Sequence, residues 1–331
     1  SGVFAVITSL FGNAFLARID RKSVVLLYTA VLVASSLAVA LAPNFPVFLV
    51  GRSLVGVSIG GFWSLSTAIL ARLASDRDLP MAIALLQGGT AFALVLAAPL
   101  GSFLGGLIGW RGTFFITVPI GIAALVWQLV VLPRMPATST VSVARIFGLL
   151  RNRTFAIGMA ATGLAFIGQN ALSIYLRPFL EGVTGLELNV LSMVLLGLGV
   201  GGLAGTSVIG FIPRRHLLLV LVGLPAALAV LALLLIALGP FAAVTASLLV
   251  MWGFFSTPLP VAWNTWMAAI VPGELEAAGG LQVALIQLAI AGGAFAGGML
   301  FDTAGWWSTF LLAACLLAGS AVLAALASRL S

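Results

Sequence analysis

Charge is what this sequence has least of. Only 7% of its 331 residues are Asp, Glu, Lys or Arg, against 62% hydrophobic, whereas a soluble globular domain carries about 25% charged residues. A water-soluble fold is therefore excluded. Leu79 to Trp110 holds no charged residue, and neither does Leu217 to Gly273. Cysteine is reduced to Cys315 and histidine to His216. One Cys builds neither a disulfide framework nor a Cys-based metal site. One His with no Asp/Glu cluster offers no hydrolytic centre, so no catalytic residue, metal or cofactor is expected. The net charge of +7 is scattered over short loops and forms no basic stripe. No nucleic-acid partner is expected either; the short basic loops fit membrane topology.

What is present is a series of long apolar runs. A bilayer core needs about 20 apolar residues per helix. Barrel strands would alternate over roughly 10 residues. These runs are continuous, so helices must satisfy the backbone in lipid. Eleven spans are predicted, at roughly 2–17, 24–42, 47–70, 80–108, 112–132, 155–178, 188–212, 217–238, 241–268, 277–300 and 306–328. Pro43-Asn44-Phe45-Pro46, Pro133 to Pro136, Gly239-Pro240 and Pro272-Gly273 punctuate them.

Loop charge sets the orientation. One set of alternate loops carries twelve cations, from Arg18, Arg21 and Lys22 through Arg72, Arg77, Arg134, Arg145, Arg151, Arg153, Arg214 and Arg215 to Arg329. The other set carries two, Arg111 and Arg177. The first set is read as cytoplasmic, which puts the C-terminus inside. The chain opens already apolar, without the basic start and small-residue site of a secretory signal. The expectation is a fragment lacking at least one upstream helix. Between 133 and 154 lies the longest polar connection. There Val143, Ile146, Phe147 and Leu150 share one helical face, which predicts a short helix on the membrane surface. The chain divides accordingly into 1–132, a linker at 133–154, and 155–331.

The halves repeat. Leu10-Phe11-Gly12 through Arg21-Lys22 is similar to Ala204-Gly205 through Arg214-Arg215. Gly109-Trp110-Arg111-Gly112-Thr113-Phe114 is similar to Gly305-Trp306-Trp307-Ser308-Thr309-Phe310, 196 residues later. Six spans separate equivalent points, an even number, so the repeats run parallel. Parallel six-helix halves place a substrate near the midplane at their interface.

Counting inward from span ends puts Gln169, Asn170 and Gln287 near midplane, with Trp63, Ser64, Trp252 and Ser256 close to it and Gln282 nearer the cytoplasm. Trp faces stack on flat rings, while Gln and Asn donate and accept at once. These eight residues are the expected substrate contacts, and they suit a neutral, polar, aromatic-bearing solute. None of the eight acids lies deep in a span. Arg52 does lie in one, at a cost of about 2.5–3.5 kcal/mol on insertion scales, which usually marks function.

Several stretches carry a resemblance. Gly60-Gly61-Phe62-Trp63-Ser64-Leu65-Ser66-Thr67-Ala68, Ala97-Ala98-Pro99-Leu100-Gly101, Ile108-Gly109-Trp110-Arg111 and Gly280-Leu281-Gln282 through Gln287 resemble the major facilitator superfamily. Within it they resemble the 12-helix drug:proton antiporters, and especially purine ribonucleoside efflux pumps. The resemblance implies an all-α integral membrane fold of two parallel six-helix halves, with 11 of 12 helices present here.

It also implies a non-enzymatic secondary transporter in the bacterial inner membrane, a monomer, exporting a small solute by alternating access coupled to protons. Sugars or drug-like compounds are the alternative cargo, and a non-transporting membrane sensor is the alternative class. By the same resemblance Arg18, Asp20 and Arg21 belong to a latching loop, although Ala17 stands where an Asp is usual and Asp20 where a Gly is usual. Arg52 is associated with proton transfer, and Gly88, Pro99 and Gly101 with the antiporter signature on which the halves bend. The proton-carrying carboxylate is expected in the absent first helix.

Overall fold

The structure, a computed structural model, describes residues 1–75, 77–137, 143–212 and 214–329. Arg77 begins just after one gap, and Arg214 follows another. Among the described residues there is no strand; the chain is all-α, in agreement with its apolar runs. Helix α1 is Gly2–Ile7, carried on by a π-helical turn, Thr8–Gly12, and a last turn, Asn13–Phe15. Next come α2 (Arg21–Ala40) and α3 (Phe45–Leu73). A continuous helical stretch, Leu79–Val131, is broken at Gly109 (φ 71°, ψ 170°) into α4 before it and α5 after it. The linker contributes the short α6 (Val143–Gly148). The rest comprises α7 (Arg153–Ser173), α8 (Leu176–Gly182), α9 (Leu188–Ile209), α10 (Leu217–Leu238), α11 (Ala242–Ser256), α12 (Leu259–Ile270), α13 (Leu275–Ala304) and α14 (Trp306–Arg329).

Local chemistry sets these boundaries. Asp20 precedes α2 and its Oδ1 accepts from the Lys22 N–H at 2.9 Å; Asn152 does the same for α7, accepting from Phe155 N–H at 3.2 Å. Each satisfies one of the amides that a helix start leaves unbonded. Gly109 and Gly305, the matching glycines of the repeat, both sit at positive φ, 71° and 88°. Only glycine takes that conformation without a Cβ clash. The repeated Gly-Trp pair therefore places a positive-φ glycine just before α5 and just before α14.

Ten helical segments among the described residues are long and apolar enough to cross a membrane, and Gly2–Gly12 is a shorter apolar helix. This corrects the expectation of eleven full spans. Ten have their counterpart, while the first, placed at 2–17, falls short of span length because its described apolar helix ends at Gly12.

The helices pack as two compact units that interleave along the sequence. The first comprises Ser1–Leu73, Leu96–Leu150 and Val271–Gln287; the second comprises Ala74–Val95, Arg151–Ile270 and Leu288–Ser331. In the first, Val24, Val25, Tyr28, Leu65, Ile69 and Met135 form a buried cluster. Hydroxyls tie its helices together: Ser35 donates to Gly51 O at 2.7 Å and Ser58 to Tyr28 O at 2.8 Å. Such bonds are available in lipid because small side chains let backbones approach. Helix α6 docks here by Ile146, buried against Ala277 with Leu10, Leu149 and Leu281 around it. Of the expected apolar face, Phe147 and Leu150 stay exposed, and the Val143 side chain lies outside the description. In the second unit α14 lies on α7, with Ser320 donating to Ala161 O at 2.8 Å. Phe179, Trp306 and Phe310 pack ring on ring nearby, with Phe179 and Phe310 centroids 4.7 Å apart.

Candidate functional site

The first unit carries an ion cluster built from four separate chain segments. Arg21 begins α2 and is only 1% exposed. Its Nε and Nη2 fork onto Glu276 Oε1 and Oε2 at 2.8 and 2.5 Å. Its Nη1 donates to Leu16 O at 2.9 Å. Glu276, itself buried, also accepts from Arg72 Nη2 at 2.9 Å. Arg72 ends α3 and donates to Pro136 O in the linker at 3.1 Å. Asp20 Oδ2 takes the Met135 N–H at 2.9 Å, and Met135 O accepts from the Arg21 N–H at 2.9 Å. A second pair, Arg145 Nε to Glu274 Oε1 at 2.7 Å, fastens α6. The bond to Glu274 and its charge hold the Arg145 guanidinium above its ordinary range.

A two-pronged Arg–carboxylate pair is both strong and directional. A buried one is costly to split, since it leaves a charge without its partner, about 3–5 kcal/mol. Glu276 lies in the first turn of α13, where the helix dipole favours a carboxylate. Of the expected latch residues, Asp20 and Arg21 take part, and Arg18 is exposed. Sequence reasoning missed Glu276 and Arg72, assigning both to loops. The available signal was an acid opening an apolar helix right after Pro272-Gly273.

The expected substrate contacts divide between the units. In the first, Gly279 packs on the Ser64 backbone so closely that a Cβ would collide with the Ser64 carbonyl. Ser64 is buried and donates to Gly61 O at 2.8 Å. That approach brings Ser64 beside the stretch of α13 that holds Gln282 one turn on. Gln282 is 2% exposed, and its Nε2 has no hydrogen-bond partner among the described residues. Trp63 is half-buried, edge-on to Phe62, and Gln287 is half-buried further along α13.

In the second unit, buried Trp252 points its Nε1 at Ser173 Oγ, 3.4 Å away. Ser173 stands one turn beyond Gln169 and Asn170 on α7, so the Trp252 N–H meets that helix one turn from the pair. Asn170 Nδ2 donates to Phe166 O at 2.8 Å within its own helix. Gln169 Oε1 is buried with no partner among the described residues. Ser256, one turn from Trp252 on α11, is buried. Ser173 is the residue that sequence reasoning left out here.

The remaining expected residues stand apart. Arg52 is half-buried in the second turn of α3. Gly88 lies on α4 with Thr206 Cγ2 nearby in the same unit. Pro99 and Gly101 are helical, with open space where a Gly101 Cβ would project; the Pro99 side chain is outside the description. Among the described residues no three His, Cys, Asp or Glu side chains are grouped to hold a metal.

Residues 1–274 match the family described as Major Facilitator Superfamily. The chain belongs to that superfamily. Its sequence relatives include a Pseudomonas aeruginosa protein named transcription regulatory protein OpdE, 44% identical over 99% of this chain and 83% of that protein. They also include a Salmonella enteritidis protein named purine ribonucleoside efflux pump NepI, 36% identical over 99% of this chain and 82% of that protein. Among solved structures, the human organic anion transporter MFSD10 superposes with a TM-score of 0.86 at 18% identity, covering 98% of this chain and 82% of that one. The last likeness speaks to fold alone. Membership of the superfamily makes this a multi-pass membrane transporter and not an enzyme.

Proposed function

We propose that this major facilitator protein exports a small, polar, aromatic-bearing solute, such as a purine ribonucleoside, in exchange for protons. The carrying observation is two buried amide atoms without partners among the described residues, the acceptor Gln169 Oε1 in the second unit and the donor Gln282 Nε2 in the first. Buried polar groups are normally satisfied, so each marks, within its own unit, a place where a polar group of a solute would be held. Trp252 and Trp63 stand in the same two neighbourhoods and supply faces for a flat ring. The name of the 36%-identical Salmonella relative supports the nucleoside reading. Sugars or drug-like compounds remain the alternative cargo, because amides serve sugar hydroxyls as well.

In this reading Arg21 with its Glu276 partner, and Asp20 beside it, are the latch that alternating access must open, with Arg18 at its edge. Arg52 assists proton movement, and Gly88, Pro99 and Gly101 permit bending. The functional division is 1–132, linker 133–154 and 155–331. The protein acts as a monomer in the bacterial inner membrane with its C-terminus in the cytoplasm.

Labelled inosine or adenosine should accumulate in inverted vesicles that contain the protein when a pH gradient is imposed. Gradient-independent counts would refute the export reading. A second reading, a membrane sensor that binds without moving solute, is favoured by the name of the 44%-identical relative. Saturable nucleoside binding without accumulation would establish it instead.

A further inference from the structure

The second unit contains a cleft that the transport reading does not use. It is about 370 Å³ and lies among α9, α10 and α11 at the end where Arg214–His216 turns the chain. Its walls are apolar, with Val208, Ile212, Leu224, Phe254 and Phe255 among them. The one titratable side chain in its lining is His216. Arg215 stands at the same rim, its Nε donating to His216 Nε2 at 3.1 Å, and both side chains are exposed.

The cleft has a structural cause. At this end α9 and α11 touch backbone to backbone, since a Cβ on Gly205 would collide with the Phe254 carbonyl. Helix α10 does not close up in the same way. Gly223, in the cleft wall, has open space where its Cβ would point. The lining runs along α9 from Gly205 to Ile209, roughly 6 Å at 1.5 Å per residue, and continues to Ile212 just beyond the helix end. Neighbouring Leu219 and Val208 are 70% and 50% exposed, so the opening faces hydrocarbon.

An apolar slot that opens sideways to lipid and ends at a cationic rim matches one chemistry, an anionic phospholipid. We propose that one acyl chain of such a lipid occupies the cleft, with its phosphate at Arg215 and His216. A solute taken from water would meet too little polar lining to be held. A zwitterionic lipid would fill the slot but gain less at the rim. Basic recesses between membrane helices hold anionic headgroups by this combination. The inference does not depend on the cargo.

Native mass spectrometry of the purified full chain tests it, with phosphatidylglycerol and phosphatidylcholine of matched chain length as probes. Retention of phosphatidylglycerol should exceed that of phosphatidylcholine about fivefold, the scale of one interfacial cation. R215Q, at an exposed position, should bring the ratio close to one. G223L should reduce retention of both lipids by filling the slot; leucine is also the better helix former there, so the fold is kept. A photoreactive group on the lipid tail should mark Phe254 or Phe255. Equal retention of the two lipids, undiminished retention in G223L, or cross-linking of Phe254 to a second copy of this chain would each overturn the proposal.

Discussion

The segment that opens α14 and the segment that opens α5 carry the same Gly-Trp signature, and both glycines take a left-handed turn. Yet 44% of the apolar window of Trp306–Ala327 is buried, against 6% for Phe103–Val131. Helix α14 lies on α7, five spans earlier in the chain. There Gly168 faces Ala313 O, Leu316 and Leu317, and Ser320 reaches Ala161 O. Helix α5 meets α2, through Thr29 and Gln128 at 2.8 Å and through Gly121 against Val33. Its outward residues Ile122, Val126 and Val130 are exposed. Two related helices thus differ in how many neighbours they find. In lipid an exposed apolar face carries no hydrophobic penalty, so α5 is still a sound span. The difference teaches that burial here reports neighbours, not sequence. Close helix packing holds both units, and the first adds a buried Arg–Glu cluster to it.

Predictions sharpen that contrast in order of size. E276L leaves Arg21 buried without a counter-charge and should destabilise the protein by about 3–5 kcal/mol, read as a lowered midpoint of thermal unfolding in detergent. A loss under 1 kcal/mol on the scale of these interactions would mean the cluster does not hold the first unit. G168L forces a side chain between α7 and α14 and should cost about 1–3 kcal/mol. V126L, on the open face of α5, should stay within about 0.5 kcal/mol; equal effects from the two would erase the comparison. A cysteine at Val126 should react readily with a lipid-soluble maleimide in the present chain. A cysteine at Leu317, buried in α14, should stay unreactive. Equal labelling at the two positions would mean that α5 is covered as α14 is. T29V removes a single interhelical hydrogen bond to Gln128 and should cost only about 0.6 kcal/mol, measured by the same thermal assay.

Much of the architecture was legible before any coordinates. Helical spans follow from apolar length, because lipid leaves the backbone no other partner, and the turns at Gly109 and Gly305 follow from a repeated Gly-Trp. The candidate site was legible only in part. Gln169, Asn170 and Trp252 were singled out by depth, but Ser173, which receives the Trp252 N–H, was passed over as an ordinary small residue. The latch was read from Arg18, Asp20 and Arg21 as a local motif. Its decisive acid, Glu276, lies 255 residues further on than Arg21, and no local pattern encodes a partner at that separation.

By itself the sequence determined that this chain threads lipid many times as helices and where most of those helices begin and end. Hydropathy and backbone sterics act within a few residues and need no neighbour to be decided. Tertiary structure alone decided that Arg21 and Arg72 converge on Glu276, that Gln169 Oε1 and Gln282 Nε2 are left open, and that α5 keeps a bare face while α14 does not. Pairing, orphaning and exposure are relations between distant segments, and they exist only once the helices have packed.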